Sequence, residues 1–107
     1  MVEDRTGVSH TIEELRNRID LLDETLVRML NARAACALEI GRLKRAEGIP
    51  VYQPEREAQV LKNVQRFNNG PLDQSAMRRL FERIIDEARH LERIADGQEG
   101  PSTMPDA

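Results

Sequence analysis

The chain has almost no aromatic side chains, and this absence decides how its core must be built. Aromatic residues make up 3% of the sequence, and tryptophan is absent. The apolar surface must therefore come from leucine, isoleucine, valine, alanine and methionine, while 33% of the residues are charged. Aliphatic residues combined with this many charges are typical of long amphipathic helices. The composition therefore favours an all-α domain.

Signals for other compartments and partners are also missing. A single cysteine, Cys36, excludes an internal disulfide, so nothing indicates an oxidising compartment. Residues 1–10 lack the apolar segment of a signal peptide, and no stretch approaches the roughly 18 apolar residues that a membrane span requires. The net charge of -3 gives no general attraction to nucleic acid. We therefore expect a cytoplasmic protein with no nucleic-acid or membrane partner.

Residues for metal or nucleophilic chemistry are scarce. His10 and His90 have no metal-ligand residues at suitable spacing, and Cys36 is not part of a motif that supplies a base. No glycine-rich phosphate loop is present either. We expect no metal and no cofactor.

One strong pattern covers the first half of the chain. It begins after Thr11, a predicted N-cap that forms a capping box with Glu14. It continues to about residue 46, where Gly48 and Pro50 end the helix. The apolar stripe comprises Ile12, Leu15, Ile19, Leu22, Leu26, Met29, Cys36, Ile40 and Leu43. We predict helix one over about 11–46.

The length of this helix predicts a dimer. About 35 residues form a rod of roughly 52 Å, whereas a globule of this chain length has a diameter of about 35 Å. Because the apolar stripe runs from end to end, part of it needs a partner, and an identical chain is the simplest source. We predict an intertwined helical homodimer. The alternative is a helix kinked at Gly41 or a monomeric hairpin.

Two shorter helices follow. Pro54 suits a first helical position and predicts helix two over about 54–67, ended by the turn residues 68–71. Helix three is predicted over about 73–95. Residues 11–96 then form one domain between flexible tails, 1–10 and 97–107. No window alternates as a strand does, so the fold class is all-α.

Some charged residues occupy positions where apolar ones are expected. Arg33 interrupts the stripe of helix one and needs an anion, either a ligand or a carboxylate of the chain itself. Lys44 lies eleven residues later on the same face, with small Ala37 between them. Lys44 could alternatively interact only with the C-terminal dipole of the helix.

The later helices add one cation and two acids. Arg56 lies near the N-terminus of helix two, which favours anions, so it could help to clamp a carboxylate. Glu57 borders the inner face and could accept a hydrogen bond, or be an ordinary first-turn acid. Glu92 lies at the edge of the apolar face of helix three, where burial would raise its pKa. It could instead be a solvated partner of Arg89 or Arg93.

A second chain could complete this cluster. Arg16 is about 25 Å from Arg33 along one helix, but in an antiparallel dimer Arg16 of one chain can approach Arg33 of the other. The result is a helical cavity of cations with two carboxyls, which suits a small dianion.

Taken in order, these residues resemble the all-helical chorismate mutases of the intertwined-dimer type. The similarity covers about residues 12–94. It is carried by Leu15 to Asp20, Asp23, Arg33, Glu39 to Lys44, Pro50 to Glu57, Leu80-Phe81 and Ile84-Ile85. The segments 69–72 and 91–92 also resemble mutase domains fused to prephenate dehydratase. We expect no dehydratase domain here, and docking of another pathway enzyme stays open.

The resemblance implies a function, rearrangement of chorismate to prephenate in phenylalanine and tyrosine biosynthesis. It implies that Arg33 and Arg56, with Arg16 of the second chain, hold the two carboxylates. Lys44 and Glu92 would address the ether oxygen, and Glu57 the ring hydroxyl. Lys44, Glu92 and Arg33 are the implied catalytic residues.

Three implied substrate-binding positions depart from one version of the family pattern. Gln53 replaces an acid, Ala88 replaces a serine, and Glu92 replaces a glutamine, so Glu92 could donate to the ether oxygen only when protonated. Two other functions stay open from the sequence. One is an isochorismate pyruvate lyase, which resembles this family in fold. The other is a non-catalytic helical dimerisation or regulatory module, which would explain the heptads but not the charged cluster.

Overall fold

The computed structural model describes residues 2–3 and 9–97 of the chain. Three helices dominate the described residues: α1 Ile12–Glu47, α2 Pro54–Phe67 and α3 Gln74–Ala95. Each begins and ends within one residue of its predicted bounds, and α1 continues through Gly41 without interruption. The prediction of an all-α chain with a long first helix is confirmed.

One feature of the fold was not predicted. Two short strands, β1 Val2–Glu3 and β2 Ser9–His10, pair in an antiparallel register with Val2 opposite His10. Segments of two residues are too short to show an alternating pattern in the sequence. The other residues of the predicted N-terminal tail, 1 and 4–8, lie outside the described residues, and so does the predicted C-terminal tail from residue 98 onward.

Both ends of α1 are stabilised by local hydrogen bonds. The Glu14 backbone N–H donates to Thr11 Oγ1 at 3.1 Å, and the Thr11 N–H donates to Glu14 Oε1 at 3.1 Å. This is the predicted capping box. At the other end Gly48 has a positive φ of 72°, and the Ile49 N–H donates to the Lys44 carbonyl at 2.8 Å. The predicted stop at Gly48 is therefore a Schellman-type turn.

The chain divides into two compact units, residues 1–33 and residues 34–107. In the first unit α1 carries apolar side chains that remain largely exposed, and none of the unit's described apolar side chains is buried. The large exposed ones are Ile12, Ile19, Leu21, Leu22, Leu26, Val27, Met29 and Leu30. Nothing in the described part of this unit covers them.

The second unit is built on the packing of α2 against α3. Asp73 caps α3, because its Oδ1 accepts from the Ala76 N–H at 2.7 Å. Leu61 of α2 is 8% exposed and is the buried hydrophobic side chain of the described residues. Within residues 2–3 and 9–97, no helix is long and apolar enough to cross a membrane.

Candidate active site

Lys44, in the last turn of α1, has its ammonium group held by the loop that follows. Its Nζ donates to Gln53 Oε1 at 2.8 Å, and both side chains are half-buried. Gln53 directly precedes Pro54 at the start of α2. Because a glutamine amide is neutral, Gln53 orients the Lys44 ammonium without cancelling its charge. The cation remains available to a ligand.

Glu92 of α3 lies close to α1 at Gly41. A Cβ atom at Gly41 would lie 3.5 Å from Glu92 Cδ and 3.3 Å from Arg45 Nη1. Gly41 is the buried residue of α1 in the structure. A Cβ there would touch Glu92 at ordinary contact distance, so the Glu92 carboxyl packs against the helix where a longer side chain would otherwise lie.

The Glu92 carboxyl titrates in a mixed environment. Burial raises its pKa above the usual value for a glutamate, and the nearby charge of Glu57 raises it further. The cations Arg45, Lys44 and Arg89 oppose this rise. Within the described residues no hydrogen bond or ion pair engages the carboxyl. When it is protonated, its O–H can therefore donate a hydrogen bond to a ligand.

Glu57 of α2 is paired with Arg89 of α3. Arg89 Nη2 donates to Glu57 Oε2, while Arg89 Nη1 donates to Asp86 Oδ1 at 3.3 Å. The guanidinium also lies over the Tyr52 ring, 5.6 Å from its centroid. The hydrogen bond to Glu57 raises the pKa of Arg89. Glu57 is thus more than a first-turn acid, because it links α2 to α3.

Arg45 joins α1 to the end of α3. Its Nε lies 3.0 Å from Asp96 Oδ1, and both side chains are more than two-thirds covered. The pair lies beside Gly41 and Glu92. It therefore joins the helix that carries Lys44 to the helix that carries Glu92.

Arg56 points along α2 and not toward these groups. Its Nη1 donates to Gln59 Oε1 at 2.8 Å, and the side chain is exposed. It borders a groove of about 790 Å³ that Gln53 and Lys62 also line. Within the described part of the second unit, no hydrogen bond or ion pair joins Arg56 to Lys44, Glu57 or Glu92.

The other predicted site residues differ in their surroundings. Ala88 is half-buried on α3, one turn before Glu92 on the same face, and has no polar side-chain atom. Arg16 and Arg33 belong to the first unit, where Arg16 is exposed and Arg33 half-buried. Neither has a hydrogen bond or ion pair within that unit's described part. The predicted alternative for Arg33, a carboxylate of its own chain, has no counterpart there.

The second unit therefore brings together Lys44, Gln53, Glu57 and Glu92 among the predicted residues. Sequence reasoning missed the contributions of Arg89, Tyr52 and Arg45. A signal existed for Arg89, which follows Asp86 by three residues and precedes Glu92 by three on one helix face. Together these groups offer an ammonium and a half-buried carboxyl whose pKa is raised by burial, with a second carboxylate anchored by Arg89. Among the described residues, no three His, Cys, Asp or Glu side chains could hold a metal ion.

Comparison with known families identifies a match over most of the chain. Residues 15–93 match the family model described as chorismate mutase type II. The bifunctional chorismate mutase/prephenate dehydratase of Stutzerimonas stutzeri is 44% identical over 86 residues, which are 76% of this chain and 24% of that protein. The chain thus spans about a quarter of the length of this relative.

Other relatives are closer to this chain in length. The 4-amino-4-deoxychorismate mutase of Streptomyces pristinaespiralis is 36% identical over 83 residues, covering 76% of this chain and 64% of that protein. Among solved structures, the chorismate mutase (form II) from Thermus thermophilus is similar with a TM-score of 0.74 and 34% identity. That similarity covers 77% of this chain and 93% of the Thermus chain.

Proposed function

Because the chain belongs to the chorismate mutase type II family, we propose that it rearranges chorismate to prephenate. The observation that carries the proposal is the position of Glu92, a half-buried carboxyl placed near the Lys44 ammonium and packed against α1 at Gly41. This pair of donors is suited to one oxygen atom on which negative charge develops.

The reaction needs only one substrate. The ether C–O bond breaks while a C–C bond forms within the same molecule, and negative charge grows on the ether oxygen in between. Lys44, oriented by Gln53, donates one hydrogen bond to that oxygen. Glu92 donates a second while it is protonated, a state that burial favours. The remaining task of the site is to hold the folded, reactive conformer.

The two carboxylates of chorismate require cations. We assign them to Arg33 and Arg56 of one chain and Arg16 of a second chain. Arg33 suits this role because it is half-buried and has no anion within the described part of its unit. Arg56 would have to turn from Gln59, a neutral and exposed partner that costs little to leave. Ala88 provides no polar contact, so water would complete that end of the site.

A homodimer follows from the uncovered face of α1. In the first unit, large side chains such as Met29 and Leu21 are 64% and 66% exposed. Exposed aliphatic surface of this extent is characteristic of a protein interface. We propose that the α1 helix of a second copy covers this face, and that each chain donates Arg16 to the site of the other. An isologous pairing would then form two sites per dimer.

The cellular setting is proposed from chemistry. Prephenate made by this chain would be consumed by a dehydratase of the kind that the Stutzerimonas relative carries in its own chain. We place the protein in the cytoplasm, in phenylalanine and tyrosine biosynthesis. A separate prephenate-consuming enzyme could dock on it.

The second candidate substrate is 4-amino-4-deoxychorismate. The Streptomyces mutase that acts on it is 36% identical to this chain. The two acids differ in one ring substituent, so the same donors at the ether oxygen would serve both.

The test is to follow chorismate absorbance with the purified protein, to identify the product, and to repeat both with Arg33→Ala. Prephenate should form with the wild type, and its formation should fall by about 100-fold or more in the variant. Arg78→Ala, which removes an exposed cation of α3 that pairs with Glu82 away from the groove, is the control and should keep full activity. Pyruvate release from isochorismate without prephenate formation would favour the lyase instead. Turnover of neither substrate would leave the non-catalytic dimer.

A further inference from the structure

Arg89 connects three segments of the second unit at the candidate site. It donates to Glu57 on α2 and to Asp86 on its own helix, and it lies over the Tyr52 ring in the loop before α2. Its side chain is 36% exposed, and that of Glu57 is 30% exposed. Part-exposed ion pairs add little to folding stability. The contact therefore matters more for how it orders Glu57 than for how it stabilises the fold.

The ion pair fixes what Glu57 can offer to a ligand. Arg89 occupies Oε2, and the other carboxylate oxygen can still accept hydrogen bonds. The positive charge of Arg89 also offsets the negative charge of the carboxylate locally. What remains is an oriented acceptor whose attraction for a cation is weakened.

We propose that Arg89 is a positioning residue for Glu57 and makes the site select a ring hydroxyl over a ring amine. The inference rests on the proposed function, in which Glu57 faces the ring substituent. A hydroxyl donates one hydrogen bond to the free oxygen and carries no charge. An aliphatic amine is largely protonated at neutral pH, so it would bring a second positive charge beside Arg89. Like charges in close contact discriminate strongly between ligands.

The other charges near Glu57 do not reverse this preference. Glu92 is the second acid that interacts with Glu57, and burial raises its pKa, so it is fully ionised over a narrower pH range than an ordinary glutamate. Asp86 accepts a hydrogen bond from Arg89. Lys44 and Arg45 add positive charge near Glu92. Arg89 is the cation in direct contact with Glu57, so its removal should change the preference most.

The experiment compares kcat/KM for chorismate and for 4-amino-4-deoxychorismate. Wild type should prefer chorismate. Arg89→Met should change the ratio of the two kcat/KM values in favour of 4-amino-4-deoxychorismate by about tenfold or more. Arg89→Gln, which keeps a donor for Glu57 but loses the charge, should move it in the same direction and serves if the Met variant does not fold. Arg89→Lys should restore part of the wild-type ratio. Arg83→Met is the control, because Arg83 pairs with Glu87 on an exposed part of α3.

The possible outcomes separate this inference from the proposed function. An active wild type whose ratio is the same in Arg89→Met and Arg89→Gln, even with both rates reduced, would mean that Arg89 is only structural. A wild type that prefers the amine would overturn the selectivity while leaving the rearrangement in place. A wild type that converts neither acid would overturn the proposed function and this inference with it.

Discussion

The two units of the chain cover their apolar residues to different extents. In the first unit Leu22 and Leu26 are 56% and 55% exposed, whereas in the second unit Leu61 is 8% exposed between packed helices. Phe67 and Leu80 of the second unit nevertheless remain exposed. The second unit covers part of its apolar surface with its own sequence because α2 packs against α3. The described part of the first unit is a single helical segment after a short strand pair, with no such element. We infer that its hydrophobic free energy is realised only on association.

The largest effect is expected when a charge is placed on the exposed apolar stripe of the first unit. Leu22→Asp would place a carboxylate in the proposed interface, where an unpaired charge costs several kcal/mol (on the order of 3 or more). We expect loss of the dimer, loss of most helical signal and loss of activity. Sedimentation and circular dichroism measure the first two.

Asn17→Asp is the matched control. It adds the same carboxylate to the same helix, five residues earlier and on a different face. It should remain dimeric and folded. If Leu22→Asp also stayed dimeric, the stripe would not be the interface.

The next prediction tests whether one active site combines Arg16 of one chain with Lys44 of the other. Arg16→Ala and Lys44→Ala should each reduce activity by about 100-fold or more. Mixed and refolded together, half of the dimers should be heterodimers, and each would contain one intact site. Activity should then recover to about one quarter of wild type.

The controls for this recovery are the two refolded variants alone. Each should stay inactive at the same total concentration. If the mixture is no more active than its parts, then Arg16 and Lys44 act in the same chain's site and the shared arrangement is wrong.

A smaller effect belongs to the second unit alone. Burial raises the pKa of Glu92, so its carboxyl stays protonated, and able to donate, to higher pH than an ordinary glutamate. As pH rises through that pKa the donor is lost, and kcat/KM should fall by up to about tenfold per pH unit. The side-chain amide of the Glu92→Gln variant donates a hydrogen bond at every pH, so this variant should not show the fall in kcat/KM at high pH. If the variant had the same pH profile as wild type, another group would be responsible for the fall in kcat/KM at high pH.

The smallest effect is local to the first unit. Thr11→Ala removes the Oγ1 that accepts from Glu14 and should lower the free energy of unfolding by about 1 kcal/mol. Activity should not change. Thr25→Ala, whose hydroxyl donates to the Leu21 carbonyl inside the helix, is the control and should lose no stability. Equal losses in both variants, measured by thermal unfolding, would contradict a specific role for the cap.

The helices could be predicted because residues close to each end determine where the helix begins and stops. Thr11 with Glu14 and Gly48 before Pro50 each act within a few positions, and the structure has both features. The approach of Glu92 to Gly41 depends instead on how α3 lies against α1. No local pattern reports that distance, although a glycine inside a long helix is a sign of close packing.

The partners of the charged residues were harder to predict than their positions. Glu57 and Glu92 were identified as inner-face acids, but the sequence suggested Arg89 as a partner for Glu92. In the structure Arg89 reaches Glu57 instead, 32 residues away. One guanidinium on a helix can turn toward several neighbours, and packing selects among them. The role of Arg16 depends on a second chain, and the roles of Arg16 and Arg33 remain predictions.

Gly41 carries a consequence for how this chain can change over time. A glycine inside a helix lowers stability by about 1 kcal/mol relative to alanine. Here an added methyl group would crowd the Arg45 guanidinium slightly and touch Glu92, and a longer side chain would have to displace the Glu92 carboxyl. As long as the carboxyl is needed where it lies, selection keeps the residue at position 41 small. A descendant that no longer needed Glu92 could accept a larger residue there and gain stability, so the identity of position 41 could mark which members of a lineage have stopped being enzymes.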